Sequence, residues 1–248
     1  MTVSGTLKSA SLRELAADSD ARAAIARYVE NHQAWRHPLF EKLRQDHFTV
    51  EQAGRLLKNY DAHASQLRRL LLKTATIMPE KAVGLILENV RNEYGNGREE
   101  DRHQLQLQSL AFAVGVAADD YREFAVEPPV RTFIKDVTPL YFPLKLAAQS
   151  RSGALLRKAA IASGSVTATE LMAVEEFKAL QAAFSQFGQK DHIWFDHVQV
   201  ECEHSDESVA LALYFIENYD DFEAVEFGLK GVLDANLHLY DGLISTLA

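Results

Sequence analysis

The stretch Trp194-Phe-Asp-His-Val-Gln-Val-Glu-Cys-Glu-His204 carries His197, Glu201 and His204, spaced four and then three residues apart. On a helix turning about 100° per residue, Glu201 lies about 40° to one side of His197 and His204 about 20° to the other. Successive turns thus present two imidazoles and a carboxylate on one narrow arc. Those donors suit a borderline transition metal such as Fe, Mn or Zn. The neighbours Val198, Val200 and Cys202 are uncharged, so this face need not be wet. The competing reading is a solvated polar face beside Glu203 and Asp206.

Two further features bear on the same chemistry. Glu93 and His103 stand ten residues apart across the break Tyr94-Gly-Asn-Gly97. Taken alone, Glu93 fits an exposed last-turn residue better, although a carboxylate there opposes the helix dipole and invites a compensating cation. Glu170, in Thr167-Ala-Thr-Glu-Leu-Met-Ala, is one carboxylate in a run of small or apolar residues, and a buried Glu is rare unless paired or metal-bound. Its neighbours Glu175 and Glu176 read as surface residues. Together Glu93, His103, Glu170, His197, Glu201 and His204 have the composition of a two-metal carboxylate site in a helical bundle.

Weaker candidates surround these six. Asp61 and His63 sit mid-helix, where they either line a cavity or satisfy one another. Tyr60, Tyr94 and Tyr141 serve equally well as oxidisable neighbours of a site or as core. Cys202 reads as inert packing, turned away from His197 and His204. His192 lies about 140° round from His197 and stays outside the site. His32, His37, His47 and His238 have no partner pattern and read as structural or exposed.

Elements that position these groups are helical nearly throughout, for 12 Gly and 6 Pro are the main punctuation and no run alternates as a half-buried strand does. Helices are expected over residues 9–17 and 20–34, and a short one from His37-Pro38 to Leu43. Thr49-Val-Glu-Gln52 has the form of a capping box and opens a long helix that Pro79 ends. Further helices are expected from Glu80 to Glu93, from Arg98 to Val114 and from Ala117 to Phe124, the last closed by Pro128-Pro129. Pro139 and Pro143 break or kink the segment from Val130 to Ala148. A long helix from Ser152 to Phe187 carries Ala159, Ala160, Ala162, Ser163 and Gly164, small enough for a neighbour to approach closely. The metal-type helix covers about 190–203, Ser205-Asp-Glu207 has capping character, and the last helices follow from Leu211 and from Phe222.

Composition sets the outer bounds. The 248 residues are 47% hydrophobic, ample for a buried core, and one all-α domain over 1–248 is the simplest account. A net charge of −9 without a run of Lys or Arg argues against nucleic acid and anionic membrane as partners. One cysteine excludes an internal disulfide and suits a reducing cytoplasm. Neither a signal-peptide core nor a membrane span is visible, so a cytoplasmic protein is expected.

At the level of motifs the chain resembles the haem-oxygenase-like diiron oxidases, the iron-containing redox enzymes that include proteins like the chlamydial death-domain-associating protein. Asn89-Val-Arg-Asn-Glu-Tyr-Gly-Asn-Gly97 followed by His103 is similar to their first ligand segment. Glu170 matches an isolated Glu in a later helix, and His197, Glu201 and His204 match the closing His-x3-Asp/Glu-x2-His, with Glu201 where many members carry Asp. The resemblance spans about residues 50–215. It implies a bundle of about seven core helices, two Fe ions or an Fe/Mn pair held by the six residues, and O2 as cosubstrate. It also implies oxidation of a small organic molecule of unspecified class, and bundles of this type often pair as homodimers. Thiaminase II and pyrroloquinoline-quinone-synthesis proteins share that fold without the full ligand set. A metal-free acid/base enzyme of their type is therefore the alternative. A non-catalytic interaction module using Glu217-Asn-Tyr-Asp-Asp-Phe-Glu223 stands third, against a plain solvated loop.

Overall fold

Ser11 and Thr49 begin two helices by the same device. Each hydroxyl accepts from the backbone N–H three residues on, and Glu14 or Gln52 reaches back to the cap's own N–H. The capping box read at Thr49 is therefore present, and Ser11 carries a second one. A computed structural model describes residues 10–143 and 151–248, the side chains of 151, 152 and 197–204 excepted.

The described residues form eleven α-helices: α1 Leu12–Ala17, α2 Ala21–Glu30, α3 Pro38–Gln45, α4 Val50–Ala75, α5 Val83–Glu93, α6 His103–Ala113, α7 Ala118–Glu123, α8 Pro128–Tyr141, α9 Arg151–Phe184, α10 His197–Tyr219 and α11 Phe222–Ser245. Seven of them, α4, α5, α6, α8, α9, α10 and α11, run to 11 residues or more, in line with the expected bundle. The longest, α9, is the axis: α11, α10, α3 and α8 all pack on it, and α4 lies against α5, α6 and α8.

The middle of α9 shows why the chain can bury a helix on all sides. Residues from Ala159 to Ala168 are buried in an unbroken run. Its polar members are satisfied internally: Ser163, Ser165 and Thr167 hydroxyls lie 2.7, 2.9 and 2.9 Å from carbonyls three or four residues earlier. Thr167 also lies 2.7 Å from the Ser208 carbonyl on α10, tying those helices together. Gly164 faces α11 so closely that a Cβ there would stand 2.1 Å from the Val225 carbonyl oxygen, and one on Gly228 would stand 2.0 Å from the Ile161 carbonyl. The close approach expected from the small residues is thus made by a glycine from each helix.

Several boundaries differ from expectation for local reasons. Pro128-Pro129 opens α8 rather than closing α7, because a missing N–H costs nothing in a first helical turn. A short 3₁₀ turn covers Glu99–Asp101 with Arg98 and Arg102 extended on either side, so α6 starts at His103. Ser205-Asp-Glu207 caps nothing, and α10 runs through it. The acidic stretch near Asp220 is consumed structurally. Asp220 takes a left-handed turn and pairs with Arg13, while Asp221 caps α11 through the Ala224 N–H and pairs with Arg157. Part of the segment expected from Val130 to Ala148 lies outside the described residues.

Candidate active site

Glu93 ends α5 and His103 begins α6, and the loop between them is built to bring them back together. Gly95, Asn96 and Gly97 have φ of 76°, 54° and 91°, three consecutive residues in the left-handed region that reverses the chain. Gly95 does more than turn: a Cβ there would stand 2.7 Å from the Arg102 backbone N, so only glycine lets the segment leading into His103 pass so close. The outcome is His103 Nδ1 at 3.1 Å from Glu93 Oε1. A carboxylate can only accept, so Nδ1 carries the proton. His103 is buried and Glu93 half-buried. Burial pulls the His103 imidazole down, but the charge and hydrogen bond of Glu93, with Glu170 beyond, more than offset it and leave its pKa raised.

Glu170 comes from the third side, on α9, and is buried at 7% exposure among its small neighbours. Asn89 stands one turn before Glu93 on α5, and its Nδ2 donates to Glu170 Oε1 at a long 3.5 Å. Glu93, His103 and Glu170 line one cavity of about 40 Å³ together with Tyr60, His63, Glu176, Phe177 and Trp194. The side chains of His197, Glu201, His204 and Cys202 lie outside the described residues. Their backbone forms the first turns of α10, directly after the 3₁₀ turn Ile193–Asp196 that holds Trp194 against the cavity. Among the described residues no three His, Cys, Asp or Glu side chains gather tightly enough to hold a cation by themselves.

Glu176 requires a correction, because it is not a surface residue. It is buried, lines the cavity, and accepts from Tyr60 OH at 2.8 Å and Tyr240 OH at 2.6 Å. Burial lifts its carboxyl above the usual carboxylate range, and the hydrogen bonds from Tyr240 and Tyr60 hold part of that rise back. A signal for it was present: Ala168, Met172, Glu176, Leu180 and Ala183 form one buried helical stripe, and Glu176 stands inside it. Glu175, one residue off the stripe, is half-buried and pairs with Arg44, close to the surface role expected of it.

The weaker candidates divide. Asp61 turns away from the cavity to Ser65, Gln108 and Tyr121, at 2.7, 3.2 and 3.2 Å. His63 lines the cavity, its Nε2 without a partner among the described residues, held edge-on between the rings of Tyr60 and Phe133. Burial pushes its pKa down to about 4 against a small lift from Glu93. Tyr141 is buried and bonds to Thr169, and Tyr94 packs under Arg68. His192 bonds to Ser109 and does not line the cavity. His32 and His37 each accept a backbone N–H on Nδ1 and donate from Nε2 to Asp234 and Asp241, which makes them structural pins of α11. His47 and His238 are exposed.

The sequence matches no protein-family model and no curated protein. Solved structures do match in shape. A CADD-like protein of unknown function from Nostoc punctiforme is 13% identical over 96% of this chain and 99% of that one, with a TM-score of 0.70. A domain of unknown function with a haem-oxygenase-like fold from Shewanella denitrificans gives 13% identity, coverages of 95% and 93%, and a TM-score of 0.64. The chain has a haem-oxygenase-like fold. A TenA homolog from Pseudomonas syringae is also similar, at 14% identity, coverages of 94% and 92%, and a TM-score of 0.59. Within this haem-oxygenase-like bundle the cavity sits between α4, α5, α6 and α9, where side chains far apart in the chain face a common interior. No described helix is long and apolar enough to cross a membrane.

Proposed function

We propose that the chain is a dinuclear-iron, or iron–manganese, oxidase or oxygenase acting on a small organic molecule with O2. One observation carries this reading: Glu93 and His103 meet at 3.1 Å inside a buried cavity that Glu170 also lines. The donors fit in kind. Two carboxylates and an imidazole from three helices, with a buried His63 Nε2 that has no partner among the described residues, gather metal-ligating atoms on one interior space. Glu93 and His103 would hold one ion, His197, Glu201 and His204 the other, and Glu170 would bridge or complete the pair. When bound, the metals supply the O2 affinity and redox capacity that no side chain has.

The chain's own groups then have definite tasks. Glu93 and Glu170 neutralise the ions. Only the neutral form of His103 can be a ligand, through Nε2 while Nδ1 donates to Glu93, so metal uptake competes with its protonation and weakens as pH falls. Tyr60, Phe177 and Trp194 form an aromatic wall, with Trp194 5.0 Å from Phe177 and 6.3 Å from both Tyr60 and His103 between ring centroids, that excludes water. Anaerobic loading with Fe(II) followed by metal analysis tests the reading. About two equivalents are expected, fewer in His103→Ala and Glu170→Ala, with transient visible absorbance on mixing with O2. One equivalent or less, and no absorbance change, refutes it.

A second reading has its own support. Glu176, gripped by two tyrosines in the same cavity, is placed to work as a metal-free acid or base, and the similarity in shape to a TenA homolog accords with it. Turnover that survives removal of all metal but is lost in Glu176→Gln would favour it.

A further inference from the structure

The cavity of about 40 Å³ is unevenly covered. Glu170, Glu176, Phe177 and Trp194 form a buried floor. The half-buried part of the lining runs through Ala64, Leu67 and Arg68 on α4 to Glu93 and Gln104, with Thr169 and Ala173 facing them from α9. This rim is where the space nears solvent. Alanine and threonine are too short to cover an opening, and Arg68 is the side chain that reaches across it. Its guanidinium donates to Gln104 Oε1 on α6 and lies 5.8 Å from the centre of the Tyr94 ring, just past the end of α5. Gln104 and Tyr94 are the chain neighbours of His103 and Glu93, so Arg68 closes directly over that pair. The bond goes to a neutral carboxamide, which holds a guanidinium less firmly than a two-bond carboxylate fork would. A long stem with a half-buried charged head can also turn out into water at little cost.

We propose that Arg68 is the door of this cavity and decides what enters it. Closed on Gln104 and Tyr94, it blocks the rim and sets a positive charge there, which repels cations. Swung into solvent, it uncovers an interior lined by the carboxylates of Glu93, Glu170 and Glu176, which draws small cations in and turns anions away. The inference rests on this cavity being the working site of the function proposed above, but it needs no metal in place.

Trp194 reports on the interior, because it lines the cavity and is 2% exposed, and Trp35 is the other tryptophan of the chain. The test uses the full-length metal-free chain carrying Trp35→Phe and measures quenching of Trp194 fluorescence by caesium and by iodide ions. Arg68→Gln should raise the caesium quenching constant at least about threefold, since it removes both the obstacle and the like charge. Iodide quenching should rise far less, because the carboxylates remain. Arg68→Lys keeps the charge without the fork and should fall between. Arg69→Gln removes the same charge from the exposed next position of α4 and should change nothing. Should Arg68→Gln lose its far-UV circular dichroism, Gln104→Ala, which removes the acceptor alone, carries the expectation of increased caesium quenching. Equal caesium quenching with and without Arg68, an equal rise in Arg69→Gln, or iodide rising in step with caesium overturns the proposal. Iron uptake is read separately. A chain that takes up iron but shows no dependence of quenching on Arg68 refutes this inference alone. One whose quenching depends on Arg68 but that takes up no iron refutes the metal reading alone.

Discussion

Substituting Gly164 by Ala sets two opposed effects against each other at one position. In a helix interior the change is worth about 1 kcal/mol in favour of Ala through propensity alone. Against it, the new Cβ would stand 2.1 Å from the Val225 carbonyl oxygen and 2.9 Å from its carbon. Those atoms are backbone of α11 and cannot rotate aside, so α9 and α11 must separate along a face that both bury. Overpacking a well-filled interior costs about 1–3 kcal/mol, and a backbone obstacle puts this case at or above the upper end. The net loss is about 2 kcal/mol, or a melting temperature lower by about 4–8 °C for a chain of this size. Gly228→Ala meets the Ile161 carbonyl at 2.0 Å and should behave alike. The double variant should lose less than the sum, because one separation relieves both clashes. Gly84 on α5 is the control: a methyl group added there would meet nothing within 4 Å, so Gly84→Ala should gain about 0.5–1 kcal/mol. Thermal unfolding followed at 222 nm reads all four. If Gly164→Ala melts at or above the wild-type temperature, the close backbone contact between α9 and α11 is not there.

Three other outcomes follow from the site, each measured on the metal-free chain. His63 has its pKa lowered from 6.5 to about 4, so the unfolded chain binds a proton that the folded one refuses. The stability this represents is complete above about pH 6.5 and is lost as pH falls toward 4, up to about 3 kcal/mol in all. Urea unfolding across that range should be distinctly less acid-sensitive in His63→Leu, and an unchanged profile would contradict the burial of this imidazole. Glu176 works in the opposite sense. Its raised pKa means that the folded chain holds the proton longer, so stability falls as pH rises above the usual carboxylate range, and Glu176→Gln should flatten that fall. Finally, Gly95→Ala forces a Cβ into a left-handed turn and onto the Arg102 backbone, which should cost about 2 kcal/mol or more and part His103 from Glu93. Loss of the raised His103 pKa, followed by NMR titration, is the readout.

What a sequence can determine here is local and periodic. Helix after helix was legible because stripes of apolar residues repeat at helical spacing and because caps such as Thr49 with Gln52 act over three residues. The small residues around Gly164 announced close packing, and the Gly95 to Gly97 run announced a chain reversal. Glu170 stood out because a lone carboxylate among small residues has few explanations. Other decisions belong to the tertiary structure alone. That Glu93 and His103 meet depends on the Arg102 backbone passing over Gly95, a contact that no spacing rule contains. Glu176 and Glu175 differ by one residue and about 100° of rotation, and only the arrival of Tyr60 from α4 and Tyr240 from α11 makes one a buried acceptor while Arg44 holds the other near the surface. Asp61 and His63, two residues apart, likewise part company because different helices wait on either side of α4. Burial of a polar group costs several kcal/mol unless partners meet it, and those partners come from sequence positions far away. Periodicity therefore decides which side chains turn inward, and packing between distant helices decides what each one finds there.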